Sequence, residues 1–258
     1  MKLLSILATV RESGNSALAS RYIAQELDAS LEILRLTDLD IEPCKACYAC
    51  LFGEDCKIDD DVDRVYDRIG ETDMVLIASP IYWLDATGSF KALLDRQFMA
   101  VPHLEEFSGK KSAIITSHGF KNLRGWASST HLVFARSLQL NVLANMEINA
   151  GLPGEILTER ENIEKLDKIV EAFKNGEKVR SENQCPVCLN TTFRVESGIR
   201  CPVCGSELDD DLNLVEKGER LERDWVNEHF FTRLVEMKED YGDKIDEIKK
   251  SVDEILNN

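Results

Sequence analysis

The chain has 258 residues, a formal net charge of −16 and an apolar fraction of 43%. That length accommodates one large domain with an ordinary core plus a small appendage, and the acidic surplus, spread along the chain, repels phosphate backbones and argues against a nucleic-acid partner. No apolar run reaches the length of a membrane span and no signal-peptide pattern opens the chain, so a cytoplasmic protein with no membrane partner is expected.

Residues 1 to about 180 alternate strand and helix patterns. An apolar strand over 3–8 leads through a polar loop over 9–16 into a helix over 17–27, then a short strand over 31–36. A cysteine-rich loop and a helix over 60–69 precede the most apolar strand, 73–78. A helix running through Lys91 to Phe98, a strand over 112–116, a helix to about Leu138 and a strand over 141–148 follow. A helix over 158–179 closes the unit, with Thr158 and Glu161 at capping-box spacing. Five β-α units with near-continuous apolar strands imply a parallel sheet covered on both faces. In the five-stranded doubly wound order, ligands sit at the strand C-termini near the switch point.

Composition shifts at Ser181. The expected division is a main domain over 1–180, a four-cysteine module over 181–210 and a charged helical segment over 211–258. In the last segment Ile245, Ile248, Val252 and Ile255 share one helical face, suited to packing on the main domain or on a second subunit.

The loop Thr9-Val10-Arg11-Glu12-Ser13-Gly14-Asn15-Ser16 places hydroxyls, an amide, a guanidinium and a glycine at a helix N-terminus, where free N–H groups favour a phosphate. Ser and Asn at such positions also serve as plain caps, and the loop lacks both GxGxxG and the P-loop lysine. After the third strand come Ser79-Pro80-Ile81-Tyr82-Trp83 and then Lys91-Ala92-Leu93-Leu94-Asp95-Arg96. After the fourth come Ser117-His118-Gly119-Phe120. His118 is a candidate proton donor, weighed against an ordinary hydrogen-bonded loop histidine.

The eight cysteines form two quartets with none left over. Cys44, Cys47, Cys50 and Cys56 are close-packed in the manner of [4Fe–4S] ligands, with free or redox-active thiols as the alternative. Cys185, Cys188, Cys201 and Cys204 are two separated Cys-x-x-Cys knuckles around a short hairpin over 192–200, a zinc-ribbon pattern. A rubredoxin-like module binding iron is the alternative. Leu189, where that module has glycine, and the scarcity of aromatics favour zinc.

The first loop resembles the [Ser/Thr]-x-Arg-x-x-Gly-Asn-[Ser/Thr] signature of the NADPH-dependent FMN reductases and their iron–sulfur flavoprotein branch. The Ser-Pro-x-Tyr-Trp and Lys-x-x-x-Asp-Arg stretches and the first cysteine quartet resemble the same group over roughly residues 1–175. The resemblance implies a flavodoxin-like α/β fold. It also implies an FMN phosphate held by Thr9, Arg11, Gly14, Asn15 and Ser16. Pro80, Tyr82, Trp83 and Leu84 would contact the flavin, and Ser117 and Gly119 would line its far side. Lys91, Asp95 and Arg96 are read as helix packing and surface ion pairs, or a subunit contact. The implied activity is an FMN-dependent oxidoreductase using NAD(P)H, or an iron–sulfur flavoprotein exchanging electrons with a small molecule or a ferredoxin-type protein. A homodimer or homotetramer is implied as well. A flavodoxin-like electron carrier and a redox-responsive interaction module are the alternatives.

Overall fold

In a computed structural model that describes residues 1–121 and 124–256, the apolar runs form β1 (Lys2–Leu7), β2 (Ser30–Arg35), β3 (Met74–Pro80), β4 (Lys111–His118) and β5 (Asn141–Asn149). All neighbours pair in parallel, in the order β2-β1-β3-β4-β5. Parallel pairing demands crossovers, and here they are helical. Alternation along each strand sends side chains to two cores. Leu3 and Leu7 meet α1 (Asn15–Glu26) and α6 (Arg160–Asn175) through Ile23, Leu166 and Ile169. Leu4 and Ile6 meet α2 (Val62–Gly70), α3 (Gly88–Asp95) and α5 (Ala127–Ser137) through Val65, Phe90 and Phe134.

Two boundaries differ from the sequence reading for physical reasons. The helix expected to reach Phe98 stops at Asp95. Arg96 turns inward there, and a 3-10 stretch containing Pro102 leads into α4 (Leu104–Phe107). The expected capping box of α6 does not form. The Thr158 hydroxyl instead donates 3.1 Å to the Glu155 carbonyl, Glu159 is the N-cap, and Gly176 ends the helix at φ +75°.

Beyond the sheet, β6 (Arg194–Val195), β7 (Ile199–Arg200), β8 (Glu207–Leu208) and β9 (Leu214–Glu216) form a small antiparallel sheet, with the expected hairpin as β6–β7. Its cysteines belong to the same apolar cluster as α5. Polar staples join it to the main sheet. The Asn145 side-chain amide donates to the Leu189 carbonyl at 3.0 Å, and Gln184 donates to the Asn145 carbonyl at 2.6 Å. The Ser129 hydroxyl donates to Asn190 Oδ1 at 2.6 Å.

The chain then runs through α7 (Arg223–Glu228) and a π-helical turn over His229–Arg233 into α8 (Leu234–Leu256). Phe230 packs edge-on to Phe98, which packs edge-on to Tyr48 of the cysteine loop. No residue of α8 is fully buried; on the face expected to pack, Ile245 and Ile248 are half-buried while Val252 and Ile255 are exposed. Residues 257 and 258 of the expected last segment lie outside the described residues. No helix among the described residues is long and apolar enough to cross a membrane.

His131 is fully buried beneath β4, its Nδ1 2.9 Å from the Thr116 hydroxyl and its ring edge-on to Phe90. Burial pushes its pKa down to about 3, so the folded protein holds it neutral while the unfolded chain protonates it near 6.5. Stability is therefore fully present above pH 6.5 and is lost as pH falls toward 3. Denaturant unfolding at pH 7 and pH 5 is expected to show a loss of about 2 kcal/mol attributable to this group, absent in His131→Gln.

Candidate functional site

The chain ends of β1, β3, β4 and β5 surround one cavity of about 180 Å³. Of the residues expected to bind a cofactor, Thr9, Arg11, Gly14, Asn15, Ser16, Pro80, Tyr82, Ser117 and Gly119 line it, together with His118. Trp83 and Leu84 do not. The fifth loop does, through Ala150, Gly151 and Pro153, which the sequence reading missed. The small residues directly after the last strand were the available signal.

Local chemistry explains each placement. Helix α1 presents its N-terminus with no acidic residue in its first turn, which leaves its positive end available to an anion. Gly14 turns close to Arg11, where a Cβ would lie 3.0 Å from the Arg11 Cβ. Asn15 has a role not foreseen. Its Nδ2 donates to the carbonyls of Ala150 (2.8 Å) and Leu152 (3.0 Å), and its Oδ1 accepts from the N–H groups of Gly154 and Ile156. That amide is spent on tying the first loop to the fifth, so only its backbone remains for a ligand. Gly119 and Gly151 pack against each other, with a Cβ on Gly151 only 3.2 Å from the Gly119 Cα.

His118 is nearly buried, its Nδ1 3.0 Å from the Phe120 carbonyl. Burial lowers its pKa, so it is a neutral imidazole at neutral pH. With Nδ1–H on the carbonyl, its other nitrogen accepts rather than donates.

Tyr82 and Asp85 exchange backbone hydrogen bonds of 2.9 and 3.1 Å across Trp83 and Leu84, whose φ values are +50° and +68°. This is the two-residue left-handed turn that usually takes Asn-Gly. It holds Trp83 100% exposed at its tip. The fourth loop fastens to it, with the Trp126 N–H donating 2.8 Å to the Leu84 carbonyl. Gly125 approaches so closely that a Cβ would sit 1.9 Å from the Leu84 oxygen. Tyr82, Trp83, Phe120 and Trp126 leave an exposed aromatic rim around the cavity mouth.

The first cysteine quartet lines a second recess of about 110 Å³ together with Arg96, Phe98 and Met99; Cys47 is exposed and the other three cysteines are half-buried. Left-handed Ala46 and Tyr48 alternate with the cysteines and wind the chain round this space. Burial, then the neighbouring Cys56, Cys44 and Cys47 thiols, push the Cys50 thiol up. Tyr66, which adjoins Cys50 and Cys56 in the next recess, has a buried hydroxyl without a partner, and burial pushes its pKa up, so it remains a donor. Four cysteines lining one recess and an unspent O–H beside it fit a multi-iron cluster, whose sulfurs need such donors. Lys91 and Asp95 form the expected exposed ion pair. Arg96 corrects the expectation of a surface pair: it is 1% exposed and pairs with equally buried Asp60.

The second quartet is tighter. The four Sγ atoms all lie within 4.8 Å of one another and are buried, with Cys185–Cys204 at 3.6 Å and Cys188–Cys201 at 3.5 Å. A tetrahedral ion with bonds of about 2.3 Å separates its sulfurs by roughly 3.8 Å, so the donors fit a single ion. Ser206 Oγ lies 3.1 Å from Cys204 Sγ. Leu189 and Gly205 occupy matching left-handed positions one residue past each knuckle. The absence of glycine at 189 therefore imposes no different geometry and does not itself separate zinc from iron.

The profile of the NADPH-dependent FMN reductase family matches residues 1–152. An iron-sulfur flavoprotein of Archaeoglobus fulgidus is 34% identical over 125 residues, 47% of this chain and 61% of that protein. One of Methanosarcina thermophila is 28% identical over 125 residues, 47% of this chain and 65% of that protein. The matches thus span less than two thirds of these relatives. A solved flavone reductase shares the fold with a TM-score of 0.67 at 19% identity, over 96% of this chain and 92% of that one.

Two large residues in left-handed conformation store strain at the turn. Replacing Trp83→Asn together with Leu84→Gly is expected to raise stability by about 1–2 kcal/mol in denaturant unfolding. An unchanged midpoint would mean that the turn is unstrained.

Proposed function

Because the chain belongs to the NADPH-dependent FMN reductase family, we propose that it is an FMN-dependent oxidoreductase. It takes electrons from NADPH or NADH and passes them to a small acceptor, a flavin or quinone, or to a ferredoxin-type protein. The observation that carries this reading is the single cavity in which the anion-ready end of α1 meets the loops after β3, β4 and β5. Bound there, FMN would supply the hydride and single-electron chemistry. The chain's own residues hold and orient it. Thr9, Ser16 and the first N–H groups of α1 bind the phosphate, and Arg11 adds positive charge at the mouth. Pro80 and Tyr82 border the ring on one side, Ser117 and Gly119 on the other. Trp83 and Leu84 act from the rim, and Asn15 fixes the loops rather than the ligand.

Cys44, Cys47, Cys50 and Cys56 would hold a [4Fe–4S] cluster for one-electron exchange, and Cys185, Cys188, Cys201 and Cys204 a structural zinc. Eight free thiols committed to metals suit a reducing cytoplasm. The exposed aromatic rim supports pairing of two copies as a homodimer, or a homotetramer, at the flavin face.

Anaerobic mixing of the FMN-loaded protein with NADPH or NADH, followed by flavin absorbance, tests the activity. Bleaching by nicotinamide and recovery on adding quinone or flavin is expected. An FMN that neither nucleotide bleaches, but that exchanges electrons with a ferredoxin, would make the protein a carrier instead. Ser16→Ala and Thr9→Val are each expected to weaken FMN binding about tenfold, as loss of a hydrogen bond to a charged group does, measured by fluorescence titration.

A further inference from the structure

The cysteine loop is closed by a buried ion pair. Asp60, at its end, accepts from the N–H of Glu42 at its start (2.9 Å) and from that of Val62 (3.3 Å). Arg96 answers with a planar fork. Its Nη1 donates to Asp60 Oδ2 and, at 2.9 Å, to the Glu42 carbonyl. Its Nη2 donates to Asp60 Oδ1 at 3.2 Å, to Cys56 Sγ at 3.3 Å and to Met99 Sδ at 3.3 Å. Burial alone would raise the Asp60 pKa, but this guanidinium and the two N–H groups hold it below the usual carboxylate range.

Such a pair is an expensive way to fasten a loop, since desolvation offsets most of its attraction and apolar residues often serve as well. What apolar residues cannot supply is the N–H aimed at Cys56. A neutral thiol is a weak acceptor, whereas a metal-bound thiolate is a strong one, and an N–H from a cation binds it best. Arginine can do this while keeping its carboxylate, because its donors are fixed in one plane; lysine has a single point charge.

We propose that Arg96 is a positioning residue for the iron–sulfur cluster: it holds Cys56 as a ligand, and its N–H on that sulfur raises the cluster's reduction potential. This rests on the reading of the first quartet as a cluster site. Reduction adds one electron to the cluster and makes or breaks no bond. Donors to the ligand sulfurs stabilise the added negative charge. Asp60 cancels much of the guanidinium charge at longer range, which confines the effect to the hydrogen bond at Cys56.

The test is an anaerobic dithionite titration of the full-length protein, with the reduced cluster followed by EPR, and with iron and sulfide measured on the same samples. Arg96→Lys keeps the charge but not the fork. Arg96→Gln with Asp60→Asn removes both charges and leaves no unpaired buried ion. Both are expected to assemble the cluster and to show a potential lowered by tenfold or more in the reduced-to-oxidised ratio, which is about 59 mV for one electron. Wild-type protein labelled with guanidino-15N arginine is expected to show a weak 15N coupling to the reduced cluster, a readout that needs no variant. Assembled clusters at the wild-type potential, or no 15N coupling, would overturn the role of Arg96 alone. Wild-type protein that takes up no iron and sulfide would overturn the cluster reading and this role with it.

Discussion

A sheet whose strands all run the same way, and whose two faces are both buried, leaves the chain no choice about where its loops meet. Every crossover must pass over a face, so every strand C-terminus emerges at one edge. In the order β2-β1-β3-β4-β5 the crossovers after β1 and β3 leave toward opposite faces, which opens a crevice between those strands. The cavity at that edge follows from topology. The sequence then decorates it with hydroxyls and a helix end on one side and a tight aromatic turn on the other. Contacts between loops hold its shape. Asn15 spans from the first loop to the fifth, Gly119 meets Gly151, and Gly125 lets the fourth loop reach Leu84.

The two cysteine sites differ in burial: the second quartet is buried, whereas Cys47 of the first is exposed and Cys44, Cys50 and Cys56 are half-buried. The four-strand module has little core of its own, with Val195, Leu214 and Val215 exposed. Its buried apolar groups are the knuckle cysteines and Leu189, Val203 and Leu208. Docking on β5 through Asn145 and Gln184 and on α5 through Ser129 and Asn190 supplies the rest, and a bound ion would link the knuckles into a folded unit. The cysteine loop is managed differently. It is clamped by Asp60 and Arg96 and flanked by Phe98, with Cys47 exposed, so a redox centre there would sit near the surface beside a charged N–H donor.

Much of this could be read along the chain. The β-α alternation was legible because buried parallel strands are unbroken apolar runs. The first loop's place in the cavity and the pairing of the cysteines into two quartets were legible because their residue types sit at fixed spacings. What escaped the reading is non-local. Asn15 reads as a cap or a phosphate donor until Ala150 and Gly154 are placed beside it. Arg96 follows an exposed Lys91–Asp95 pair and shares its helical context, yet the chain turns at that residue and buries it against Asp60. Leu189 takes a conformation usually left to glycine because the knuckle demands it. Thr158 and Glu161 have capping-box spacing, but the preceding 3-10 turn claims the Thr158 hydroxyl. Trp83 reads as a cavity wall, whereas its turn points it to solvent.

The proposed function gives one chain a flavin site and two chemically different four-thiolate sites. The most direct measurement is the content of FMN, iron, acid-labile sulfide and zinc per chain in one anaerobically purified sample. The proposed function predicts one FMN, about four irons with matching sulfide, and one zinc held by four thiolates. FMN and zinc without iron or sulfide would contradict the cluster assignment, and a protein that neither contains FMN nor takes it up would contradict the account as a whole.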